Sequence, residues 1–73
     1  MIDIRKVSVG HGVSDVMHYQ VGAKMGQFVI DCIIEDKKDI GSYLVYVKKD
    51  KEVKMWKKLN RNLPMSIESN LFY

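Results

Sequence analysis

Five apolar residues in a row, Tyr43, Leu44, Val45, Tyr46 and Val47, stand at the head of the stretch "GSYLVYVKKDKEVKMWKK". They are β-branched, aromatic or leucine, and turn residues precede them, so Ser42 to Lys48 reads as a strand. Side chains of a strand alternate between its two faces. A strand apolar at every position is therefore either central in a sheet covered on both sides, or offers one face to another surface.

The rest of the chain carries the same period. Glycine punctuates it at positions 10, 12, 22, 26 and 41, and proline occurs once, at Pro64. Ile2 to Val9 forms a first strand whose apolar residues change parity, from Ile2 and Ile4 to Val7 and Val9. A bulge near Arg5 and Lys6 accommodates that change. Val13 to Val21 places Met17, Tyr19 and Val21 opposite His18 and Gln20, and "GAKMG" then reads as a loop. Gln27 to Glu35 puts Phe28, Ile30, Cys32 and Ile34 on one face, with Asp31 and Glu35 opposite. "DKKDIG" is a polar turn. A last strand starts at Pro64, where a missing backbone donor is tolerated, and carries Met65, Ile67, Leu71 and Tyr73 on one face.

Glu52 to Leu59 supports two readings. As a strand it pairs with the preceding one across "KKDKE", with Val53, Met55 and Leu59 inward and Lys54, Trp56 and Lys58 outward. As a helix capped by Asp50 it aligns Val53, Trp56, Leu59 and Leu63 in one stripe. The strand is favoured. The expectation is an all-β domain spanning residues 1–73, with one short helix near 51–60 as the variant. It is a small antiparallel barrel or sandwich of five to six strands, SH3-like or OB-like in size.

At 73 residues, 47% of them hydrophobic and 29% charged, the chain is globular in composition but small for a self-sufficient core. Small domains often add disulfides, a metal or a partner subunit. Cys32 is the single cysteine, so no internal disulfide can form. A lone thiol also fits a reducing compartment. "MIDIRKVSVG" has no apolar core of a signal peptide, and no run approaches a membrane span. A soluble protein is expected, intracellular (cytoplasmic) or packaged from the cytoplasm, with no membrane partner.

Catalytic chemistry finds little support. His11, His18 and Cys32 lack the spacing of a zinc site, which needs three or four converging ligands. Cys32 lies among apolar residues beside Asp31, both of which raise a thiol pKa, so it is expected in the core and inert. Neither "GHG" nor "GAKMG" completes a phosphate loop. Glu35, Asp36 and Asp39 flank Lys37 and Lys38 at what reads as a solvated turn. A chain this short is not expected to enclose a substrate pocket. The reading is non-enzymatic, with no metal, cofactor or small-molecule substrate.

Charge is unevenly spread. Lys48 to Arg61 holds seven basic residues against two acidic ones, a local +5, whereas the remainder sums to −2. Two function classes follow. The first is a structural, protein-binding module that assembles with its own copies or forms part of a larger assembly, through Tyr43, Tyr46, Trp56, Leu71, Phe72 and Tyr73. A short chain without targeting or catalytic signatures suits an accessory protein of a virus or mobile element. The alternative is a basic β-barrel binding single-stranded nucleic acid through Lys48, Lys49, Lys51, Lys54, Trp56, Lys58 and Arg61, with the indole as stacking platform.

Overall fold

The computed structural model describes the backbone of residues 2–10 and 15–71, and the side chains of 4–10 and 15–69. These residues form seven antiparallel strands: β1 (Ile2–Gly10), β2 (Val16–Gln20), β3 (Lys24–Met25), β4 (Phe28–Glu35), β5 (Tyr43–Lys49), β6 (Glu52–Leu59) and β7 (Met65–Leu71). The class is all-β, as the alternation predicts. Glu52–Leu59 is a strand, so the helical variant falls away. The "GAKMG" segment, read as a loop, instead contributes β3, which pairs with the start of β4. Gly26, at φ 66°, takes the first position of the two-residue turn between them, a conformation that favours glycine.

The strands belong to one sheet that does not close. Its path runs β2-β1-β4-β5-β6, with β7 on the other edge of β1 and β3 on β4. Strand β1 is the fork. Residues 6–10 pair with β2, while Ile4 meets Ile33 of β4. The expected bulge is there: the β1–β7 register shifts between Ile4 and Lys6.

The sheet curls around a core of Val7, Val9, Tyr19, Ile30, Ile33, Val45, Val47 and Leu59. Ile4, Met25, Phe28, Tyr43, Leu63 and Met65 are among the half-buried residues packed on it. No backbone pairing joins β2 to β6 among the described residues. Side chains cross that gap instead. Tyr19 meets Trp56 edge to face at 5.8 Å, and the Lys57 ammonium donates to the Tyr19 hydroxyl at 3.0 Å.

Two further bulges redistribute the faces that simple alternation assigns. The β4–β5 register shifts between Ile30 and Cys32, making Asp31 the extra residue. Phe28, Ile30 and Ile33 therefore face the core, whereas Val29, Cys32 and Ile34 turn outward. Cys32 is consequently half-buried beside Tyr46 and is not a core residue. The β5–β6 register shifts between Val45 and Tyr46, and the extra residue is Trp56. Lys54, Trp56, Lys57 and Leu59 lie on the core side. Val53 and Met55, expected inward, are about half exposed on the outer face with Lys58.

Candidate functional site: two faces of the β4–β5–β6 sheet

The outer face of β4, β5 and β6 is ordered in three rows by the registers. Val29, Lys48 and Val53 form the first, Cys32, Tyr46 and Met55 the second, Ile34, Leu44 and Lys58 the third. Seven of these nine side chains are apolar. Val29, Ile34, Val53 and Met55 are exposed, and Cys32, Leu44 and Tyr46 half-exposed. Burial pushes the Cys32 thiol pKa up, and the Asp31 carboxylate adds to the shift. The thiol thus stays protonated at neutral pH and behaves as a small apolar group.

At one end of this face stands a polar knot. Lys58 Nζ lies 3.1 Å from Asp39 and 3.4 Å from Asp36. Arg61 Nε is 3.6 Å from Asp39. Ser42, fully buried, donates its hydroxyl to Asp39 at 2.8 Å and accepts the Arg61 backbone N–H at 2.9 Å. The Ser42 hydrogen bond, then Lys58, holds the Asp39 pKa below the ordinary aspartate value. Lys58 is raised in turn, chiefly by Asp39. The turn expected to be a solvated tip is instead a clamp between the β4–β5 and β6–β7 connections. Gly41 (φ 94°) allows the close approach, since a Cβ there would stand 3.3 Å from Arg61 Cβ.

The inner face ends differently. Beyond the core, Lys24, Met25, Gly26, Phe28, Val47, Lys54 and Trp56 line a cleft of about 460 Å³. The cleft is half open to solvent, a groove beside the core and not an enclosed pocket. Trp56 is 40% exposed, its ring set by the edge contact with Tyr19. The Lys54 ammonium sits 4.5 Å above Phe28, and Lys49 reaches the same ring at 6.0 Å while donating to Gln27 at 2.6 Å.

The predicted nucleic-acid residues therefore separate. Lys54 and Trp56 meet in the cleft, Lys49 borders it and Lys51 is in the β5–β6 turn. Lys48 lies on the outer face, and Lys58 and Arg61 belong to the clamp. Of the predicted interface residues, Tyr46 is on the outer face, Tyr43 packs against the core and Trp56 lines the cleft. Phe72, Tyr73 and the side chain of Leu71 lie outside the described residues. So does His11, while His18 Nδ1 is 2.9 Å from the Ser8 hydroxyl.

Sequence reasoning missed Lys24, Met25 and Phe28 as cleft residues, and Val29, Ile34 and Met55 on the outer face. Among the described residues, no three His, Cys, Asp or Glu side chains group as metal ligands. No described helix is long and apolar enough to cross a membrane. No family model, curated protein or solved structure is similar enough to this chain to count as a match.

Proposed function

We propose that the protein is a non-enzymatic interaction module that assembles with copies of itself through the outer face of β4–β5–β6. One observation carries this reading: seven apolar side chains in three ordered rows, four of them exposed and three half-exposed. Flat sheet faces of this kind bury one another at a spacing of about 10 Å.

A second copy is the occupant favoured by size and charge. The chain is near the lower limit for a self-supporting core and has no disulfide to compensate. Lys48 is in the first row, whereas Asp36 and Asp39 cluster around Lys58 at the third-row end. A two-fold axis across the strands lays the first row of one copy over the third row of the other. Lys48 of each copy then approaches the carboxylates of its partner, and one patch serves both subunits.

Light scattering coupled to size exclusion, run over a wide concentration range, tests this. The wild type should shift toward a dimer as concentration rises. Leu44→Glu and Met55→Glu should hold it monomeric with the strand circular dichroism unchanged. A wild type that stays monomeric at its solubility limit would refute the proposal. So would folded variants that associate as the wild type does.

A further inference from the structure

The inner cleft presents a chemistry opposite to that of the outer face, and it stands whether or not the outer face pairs. Among the described residues its charged lining is entirely cationic, from Lys24 and Lys54. Three other clefts on the molecule all include carboxylates, from Asp31 and Asp50, from Glu35, or from Asp50 and Glu52. The cations of the basic segment are not equally available. Lys58 and Arg61 are held by Asp36 and Asp39. Lys54 meets the Phe28 ring, and no carboxylate among the described residues pairs with it.

The cleft also has a planar apolar wall. Trp56 is exposed enough to be touched, yet its ring orientation is set by Tyr19. An indole prefixed in this way stacks on a flat ligand with little loss of side-chain freedom. Met25 and Val47 add apolar surface nearby. A flat aromatic body joined to an anion is the composition of a nucleotide unit. A volume of about 460 Å³ falls in the range of sites that hold small ligands, roughly 300–1,000 Å³.

We infer that this cleft binds single-stranded nucleic acid, one base stacking on Trp56 while Lys24 and Lys54 hold the adjoining phosphates. The alternative reading of the sequence thereby moves off Lys58 and Arg61 and onto residues brought from β3 and β4. Arginine and side-chain amides are missing from the cleft lining among the described residues. Base identity should accordingly matter little, because stacking and phosphate contacts are tolerant of sequence.

Trp56 is the only tryptophan, so its fluorescence reports the site directly. The full chain is titrated with oligothymidylate, with a DNA duplex, with inorganic polyphosphate and with an oligoglutamate peptide. Oligothymidylate should quench Trp56. Its affinity should fall with salt at a slope of about −1 to −2, the value for two phosphate contacts on a single strand. Trp56→Ala, read by anisotropy of labelled oligothymidylate, should weaken binding roughly tenfold or more, whereas Trp56→Phe restores most of it. Lys54→Glu, an exposed change, should weaken binding with the fold unchanged. Polyphosphate that competes as well as oligothymidylate, with Trp56→Ala unaltered in affinity, would reduce the site to a patch of charge and overturn the inference. Quenching by oligoglutamate and none by oligothymidylate would overturn it equally.

Discussion

Ser42 is the one fully buried polar residue among those described, and two connections depend on its hydroxyl. Replacing it by alanine removes the acceptor of the Arg61 N–H and the hydroxyl donor to Asp39. A neutral hydrogen bond contributes about 0.5–1.5 kcal/mol and one to a charged group about 1.5–3 kcal/mol. Ser42→Ala should therefore lower the unfolding free energy extracted from urea titrations by about 1–3 kcal/mol at pH 7. The same variant has a pH signature. Asp39 has a native pKa below its ordinary value, with the Ser42 hydroxyl the largest cause. A depressed carboxylate stabilises the fold fully above the unfolded value of about 3.9, and that stability is lost as pH falls through the native value. The wild type should accordingly lose thermal stability below about pH 4. Ser42→Ala, with Asp39 closer to its ordinary value, should show a shallower acid decline from its lower starting point. Melting curves from pH 7 down to pH 2–3 would check both the offset and the slope.

At the scale of the strand, one extra residue decides which face a side chain reaches. In β6, Leu59 is 1% exposed and Met55 50%, although alternation from Val53 assigns both to the core. Leu59→Ala should cost about 2–5 kcal/mol as a cavity in the core. Met55→Ala should stay within about 0.5 kcal/mol when measured at low protein concentration. Equal costs at the two positions would contradict the bulge at Trp56. Strand identity was legible because β-branched and aromatic residues alternate between glycine turns, and the parity change in β1 betrayed its own bulge. The bulges at Asp31 and Trp56 gave no such sign. In "FVIDCIIED", Ile33 and Ile34 are both apolar, so a shift of one residue leaves each face apolar. In "EVKMWKKL", Val53, Met55 and Trp56 are all plausible inward residues. The cleft was only half legible for another reason: Lys54 and Trp56 are neighbours in sequence, but Lys24 and Phe28 reach them through curling of the sheet, which no local period encodes.

For the whole molecule, the small core and the bare outer face belong together. A monomer whose exposed apolar rows are buried only on association gains stability by mass action. Its melting temperature should rise with protein concentration in the wild type, and remain flat in Met55→Glu. Scanning calorimetry at several concentrations would show whether it does. The strand that looked apolar at every position, β5, resolves into Val45 and Val47 toward the core and Leu44 and Tyr46 toward solvent. The same three strands thus carry both the apolar rows and, on their reverse side, the lysine- and tryptophan-lined cleft. Back-to-back pairing would leave two such clefts pointing away from each other on a single particle. A long strand looping from one to the other would meet the second at the high local concentration set by the length of its loop. The dimer would then be a bivalent clasp, its grip on long polymers far exceeding that of either cleft alone.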